Sequence, residues 1–396
     1  MTAPQSARAR IASLDIVRGL AMVLMAIDHV RVYSGQPAGG PTPGIFFTRW
    51  VTHFVAPAFV FLAGTSAWLY GANRSRAELT KFLLTRGAWL VVLELTVLRF
   101  GWTFNLDYAH YTLAGVIWMI GWCMILLAVL VHLPHKAVLL FGLLTVLLHN
   151  LMDFTAYPEA PSAIAQIVYY GGWIELSPGG AHFDVLFVIV PWIGVMALGH
   201  AFGPVMRMTP ERRVALCLRL GVAAVAAFVI LRFIDLYGDP RHWHAVASAT
   251  GQAVNGRPQA PALLRFLNTT KYPASLLFLL MTLGPMFLAL ALTERARGWF
   301  AGVLETFGKV PFFYYVLHIP LIHLSAMVVS LARSGSVSPW LVGNHPVEPP
   351  KLPDGYQWSL PLLYLDFFIV VTLLYFACRW YAGVKARSSN PLLRYL

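Results

Sequence analysis

Ten apolar runs of about 20 residues punctuate the chain, and each is long enough to cross a lipid bilayer as a helix. They fall at 14–33, 53–72, 84–102, 112–132, 136–152, 184–203, 214–234, 273–292, 310–331 and 361–379. No polar stretch between them is long enough for a water-soluble domain, so a single domain over residues 1–396 is expected. Composition agrees: 58% of the residues are hydrophobic and 12% charged, against about 25% charged in a soluble domain. So few charges cannot cover a water-facing surface. The expected fold class is all-α, a polytopic integral membrane bundle of about ten transmembrane helices.

The formal net charge is +12, from 29 Lys and Arg against 17 Asp and Glu. In a soluble protein that excess would suggest nucleic acid; here the cations cluster in short loops and read as membrane orientation, with no nucleic-acid partner. The loops at 71–83 (Arg74, Arg76, Lys81), 132–136 (Lys136), 204–213 (Arg207, Arg212, Arg213) and 293–309 (Arg295, Arg297, Lys309) share one side. The tails match them, with Arg8 and Arg10 at the start and Lys385, Arg387 and Arg394 at the end. The loop 153–183 has no Lys or Arg, so both termini are expected in the cytoplasm. One outer loop, 235–272, breaks the pattern with Arg241, Arg257, Arg265 and Lys271, and Arg31 and Arg49 are smaller exceptions. Cys123, Cys217 and Cys378 make no CxxC pair, so neither a disulfide framework nor a metal site is expected. The first run carries Asp15 and Arg18 and lacks a small-residue cleavage site, so it reads as a span and not a signal peptide.

Ionisable side chains inside spans are costly and mark either packing or function. Asp15, Arg18, Met22, Met25 and His29 recur at steps of three and four, which places them on one helical face. Asp28 lies beside His29 on a neighbouring face. His53 opens the second span near the same outer surface. Glu94 lies mid-span between Arg86 and Arg99, where an ion pair would account for it. Tyr314 and His318 are four apart on one face of the ninth span, and Asp366 in the tenth could bond an imidazole from another helix. The bland readings are an Asp15–Arg18 packing pair, interfacial histidines and a structural bond for His318. There is no P-loop, HExxH, Rossmann GxGxxG or GxSxG elbow.

Several of these segments resemble a known family. Ser13-Leu14-Asp15-Ile16-Val17-Arg18-Gly19-Leu20, followed by Leu24-Met25-Ala26-Ile27-Asp28-His29, is similar to the start of bacterial members of the heparan-α-glucosaminide N-acetyltransferase family. So are Arg49 to Gly64, Thr270-Lys271-Tyr272-Pro273 and the run from Gly308 to His318, and by element order the likeness extends from residue 10 to about 390. The resemblance implies acyl transfer across a membrane: the animal lysosomal enzyme moves acetyl groups from cytosolic acetyl-CoA to a glucosamine amine in the lumen, using an Asn and a His near the lumenal face. In this chain His29 falls where the Asn would align, and the following loop, 34–48, contains no histidine. His29 and His53 are the substitutes.

Such a reaction needs a base for the attacking amine or hydroxyl, donors for the tetrahedral oxyanion and cations for the CoA diphosphate. The expected catalytic group is therefore His29, His53, His318, Asp28 and Asp366, with either Asp orienting an imidazole. Tyr314, Arg99 or a backbone amide could serve the oxyanion, and Arg18, Asp15, Arg74, Arg86 and Tyr314 the acyl-CoA. The expected function is a transmembrane acyltransferase, in a bacterial inner membrane, acting on an extracytoplasmic glycan or amino sugar. The alternative is a proton-coupled transporter using the polar stripe of the first span; a non-catalytic scaffold is a third reading.

Overall fold

The computed structural model describes residues 11–39, 42–154, 161–177, 180–244, 261–388, 390 and 393. Arg8, Arg10, Arg257 and Arg394 lie outside them. The described chain is mostly helical, and every apolar run named above holds a helix. The helices are α1 (Ala12–Tyr33), α2 (Pro43–Gly71), α3 (Arg76–Leu93), α4 (Val116–Leu130), α5 (His135–Asp153), α6 (Trp192–Phe202), α7 (Pro210–Ile234), α8 (Ala262–Leu267), α9 (Leu276–Leu292), α10 (Trp299–Lys309), α11 (Pro311–Ser334) and α12 (Leu360–Arg387). α3 continues through a π-helical turn, Glu94–Leu98, into a last turn, Arg99–Thr103.

Helix starts follow local chemistry. Ser75 caps α3 by accepting from the Glu78 amide, while the Glu78 carboxylate accepts from the Ser75 amide at 2.9 Å, so two orphan N–H groups are satisfied reciprocally. Ser275 and Ser359 cap α9 and α12 one way only, their hydroxyls accepting from the Phe278 and Leu362 amides.

Among the described residues five helices, α2, α5, α7, α11 and α12, are long and apolar enough to cross a membrane by length and composition. α4 and α9 are shorter apolar helices. α1 and α3 have the length but carry charges throughout: Asp15, Arg18, Asp28 and Arg31 on α1, and Lys81, Arg86 and Glu94 on α3. The outer faces of α5, α7 and α12 expose side chains such as Leu140, Leu144, Ile230, Phe233, Phe368 and Trp380, the exterior that lipid solvates.

The chain is mostly helical as expected, with one small sheet beside the helices. β1 (Tyr111–Ala114), β2 (Gly172–Glu175) and β3 (His182–Val185) pair in the order β1-β3-β2, with β1 parallel and β2 antiparallel to β3. The sheet takes the first residues of the runs at 112–132 and 184–203, so α4 and α6 are shorter than those runs. α10 was hidden in the basic loop 293–309.

α1 is the axis of the bundle and packs against α2, α9, α10, α11 and α12. It meets α10 backbone to backbone. A Cβ on Gly19 would lie 1.9 Å from the Leu304 carbonyl oxygen, and one on Gly308 would lie 1.9 Å from that of Asp15. α2 and α6 cross in the same way at Gly64 and Gly199, small residues letting helices approach where lipid supplies no hydrophobic drive. Gly19→Val and Gly64→Val are each expected to cost about 3 kcal/mol or more. In fluorescence-detected gel filtration both should lose the monodisperse peak, whereas Gly302→Ala, whose Cβ meets nothing within 4 Å, should keep it. Wild-type behaviour of the two valine variants would refute the close crossings.

Candidate active site

α1 and α11 bring two histidines together. His29 Nδ1 lies 2.7 Å from His318 Nε2, and His318 Nδ1 lies 2.6 Å from the Tyr315 carbonyl oxygen. The hydrogen-bond directions follow from chemistry. A carbonyl can only accept, so the neutral His318 carries its proton on Nδ1 and accepts at Nε2. His29 must then donate from Nδ1, which leaves its Nε2 with a bare lone pair. His318 is fully buried behind His29. The Trp102 ring stands edge-on to His29 at 4.8 Å between centroids, and Tyr33 holds that tryptophan by donating to its carbonyl at 2.6 Å.

His29 lines a cavity of about 370 Å³ together with Thr52, Glu94, Trp102, Lys271 and Tyr315. A second cavity, about 340 Å³ and largely apolar, meets it at Phe59, Val116 and Tyr315, and contains Arg86 over the Phe312 ring. A third, about 640 Å³, meets the second at Arg18 and Ser66 and adds Arg207 and Arg213. A fourth, about 360 Å³, joins the His29 cavity on its other side through Arg49, Lys271 and Tyr272, and holds His53. The voids therefore follow α1 from Arg18 to His29, a rise of about 16 Å along the helix.

Several expected residues stand on this path and others do not. Arg18 sits at the junction of the second and third cavities, where it donates to Asp15 at 3.0 Å, to Ser66 at 3.1 Å and to the Gly308 carbonyl at 3.3 Å. Asp15 and Arg18 thus form the packing pair, and they tie α1 to α2 and α10. Asp28 accepts from Arg31 Nε at 2.7 Å and does not orient an imidazole. Asp366 accepts from Ser325 at 3.0 Å, likewise with no histidine partner. Tyr314 stacks with His318 on one face, as its spacing requires, but that face is buried against Phe307 and lines none of these cavities. Its neighbour Tyr315 lines two of them. Arg74 lies over the half-buried Tyr70 ring, away from all four cavities.

The ion-pair reading of Glu94 is also corrected. Its carboxylate accepts from the Ile117 amide at 2.8 Å and the Trp118 amide at 3.2 Å, closing the N-terminus of α4. Arg99 cannot serve an oxyanion. It is fully buried and donates to the carbonyls of Tyr111, Asn105 and Asp107 at 3.1, 2.6 and 2.6 Å, which holds the turn between α3 and β1. The cavity residues that sequence reasoning passed over are Thr52, Trp102, Lys271, Tyr272 and Tyr315. Lys271 and Tyr272 sit in a segment already singled out by resemblance, and Tyr315 is one step from the tyrosine chosen by helical spacing.

A histidine pair facing a chain of cavities within a bundle of apolar exterior marks an integral membrane protein with an internal site. Residues 10–232 match the family described as heparan-alpha-glucosaminide N-acetyltransferase, catalytic. The match covers more than half of the chain, from α1 into α7, and the protein belongs to that family. It includes His29 and His53; His318, which orients His29, lies beyond it. No curated protein matches the chain at a significant level.

Glu94→Ala should strand two buried amides at the start of α4 and lower stability by about 1–3 kcal/mol. Glu94→Gln keeps an acceptor oxygen and should recover much of that loss. Thermal unfolding of the purified protein followed by tryptophan fluorescence measures both; equal melting of the Ala variant and wild type would exclude the capping role.

Proposed function

We propose that the chain is a transmembrane acyltransferase that moves an acetyl group from acetyl-CoA, entering from the cytoplasmic side, to the amine of an amino sugar or another glycan on the outer side. The observation that carries this reading is the His29–His318 pair, whose hydrogen-bond directions leave His29 Nε2 as a base on a cavity. The family match favours this enzyme over a transporter.

In this reading His29 Nε2 takes the proton of the amine as its nitrogen attacks the thioester carbonyl. His318 accepts from the Nδ1–H of the resulting imidazolium, as it does in the resting state. Tyr315, which lines both the His29 cavity and the apolar one, donates to the tetrahedral oxyanion. Collapse breaks the C–S bond and forms the amide. The thiolate recovers the proton that His29 took, so the base is regenerated and the products are the N-acetyl compound and free CoA. Arg86 and Arg207, on the path from the Arg18 end, supply charge for the CoA diphosphate. Arg18 contributes through its fixed position between Asp15 and Ser66.

The topology suited to this chemistry has about ten of the helices crossing the inner membrane of a bacterium within one domain, with both termini in the cytoplasm. α1 then carries Arg18 near the cytoplasmic face and His29 near the outer one. Labelled acetyl transfer by the reconstituted protein tests the assignment. His29→Ala should lower turnover about 10²-fold or more, the usual worth of a general base. His318→Gln should lower kcat with little change in KM, since it orients the base without touching the acceptor. Full turnover in both His29→Ala and His53→Ala would sink the site.

A further inference from the structure

The small sheet carries a pair of carboxyl groups that the acyl-transfer reading does not use. Asp184 lies on β3 and is only 4% exposed, and its Oδ2 is buried with no hydrogen-bond partner among the described residues. Glu348 ends the turn 344–348, which closes through a bridge between Asn344 and Glu348, and its Oε1 is buried and equally without a partner. The Asp184 and Glu348 side chains interact, and Tyr111 of β1 interacts with both. The Tyr111 hydroxyl also donates to the His345 carbonyl at 3.2 Å, which ties the turn to the sheet.

The pair stands behind one wall of the His29 cavity. Leu113 sits opposite Asp184 in the β1–β3 register and lines that cavity, as do Leu186 and Phe187 just after β3 and Pro346 and Val347 just before Glu348. Partners across a ladder project to the same side of a sheet, so Asp184 and Leu113 share a face. Burial, and then the charge of Glu348, push the Asp184 carboxyl up to about 6. Burial raises that of Glu348 too, against the opposing pull of His182. β2 sets Trp173 opposite Asp184 and Glu175 opposite His182. His345 lies in the turn, and the Arg99 guanidinium, 5.7 Å from the Tyr111 ring, is committed to the carbonyls of Tyr111, Asn105 and Asp107.

Two interacting carboxylates whose buried oxygens lack donors repel when both are ionised, whereas one proton between them turns the repulsion into an O–H···O bond. We infer that Asp184 and Glu348 form an acid-closed latch on the wall of the His29 cavity: a shared proton holds the turn 344–348 against the sheet, and its loss lets the turn move off and opens the cavity to solutes from that side. The latch stands on the sheet and the turn alone and does not depend on which reaction the cavity hosts. Its sign follows from the raised Asp184 carboxyl. The stability it contributes is complete below the ordinary value of 3.8 and is lost as the pH rises through about 6.

The full-length protein in maltoside micelles is compared with Asp184→Asn, whose amide donates to Glu348 at every pH and keeps the latch shut. Thermal unfolding is followed by tryptophan fluorescence at about pH 5 and about pH 8. The substitution should raise the melting temperature at the higher pH by about 2–4 °C and leave it unchanged at the lower. Access is read from a cysteine placed at Thr52, a cavity residue only 3% exposed, while Cys123, Cys217 and Cys378 are themselves buried. A methanethiosulfonate reagent should label Thr52→Cys about tenfold more slowly with Asp184→Asn than without it at the higher pH, and at the same rate at the lower. Comparison at one pH cancels the ionisation of the thiol. Glu348→Gln should act in the same direction and covers the case in which Asp184→Asn fails to fold. Equal labelling with and without the substitution at the higher pH, or a melting temperature that Asp184→Asn leaves unchanged or lowers there, overturns the latch. Millimolar calcium or magnesium that raises the wild-type melting temperature to that of Asp184→Asn assigns the pair to a bound cation and overturns it as well.

Discussion

The structure depends on burying a charged helix at the centre of a bundle whose exterior is apolar. α1 carries Asp15, Arg18, Asp28 and Arg31, and in a low-dielectric interior each ion must meet a partner or the helix could not stay there. The partners are supplied locally at i,i+3, Arg18 to Asp15 and Arg31 to Asp28. Local pairing has two consequences. It neutralises the helix without borrowing a counter-ion from a neighbour, and it turns the remaining stripe of Met22, Met25 and His29 toward the cavities. Gly19 and Gly308 belong to the same arrangement, because only their missing side chains let α10 come close enough for the Gly308 carbonyl to meet the Arg18 guanidinium.

His29, the proposed base at the other end of the helix, is hydrogen-bonded to a histidine and not to a carboxylate. The His29–His318 bond fixes the tautomer, with the backbone carbonyl of Tyr315 as the final acceptor, while the adjacent Asp28 carboxylate is bonded to Arg31. A proton arriving at His29 therefore meets a prepared acceptor dipole. The surrounding rigidity is contributed by Tyr33 and Trp102, which wedge α1 against the end of α3.

The cavities differ in character along their course. Cations gather at both extremities, Arg207 and Arg213 on the Arg18 side and Arg49, Arg241 and Arg265 on the His53 side, with a mostly apolar middle lined by Phe59, Leu62, Ile120 and Phe312. In the proposed reaction this mostly apolar middle is the stretch that would take the acetyl group, between two ends that carry the cations.

The amino-acid sequence by itself determined that lipid is the solvent, that each long apolar run holds a helix, and that His29, Arg18 and Asp15 share one face of the first of them. Those are consequences of hydropathy and of the 3.6-residue repeat, which act within a single segment. It did not reveal that Glu94 caps α4 or that Tyr315 and not Tyr314 faces the cavity, because each depends on which neighbour occupies the other side. The short strands at 111–114 and 182–185 were invisible for the same reason: four residues hold no period that separates a strand from a helix start, and the partner lies about 70 residues away in the chain. The joining of His29 to His318, 289 positions apart, was decided only by the packing of α11 on α1, which brings the two rings to 2.7 Å and fixes the orientation of His29.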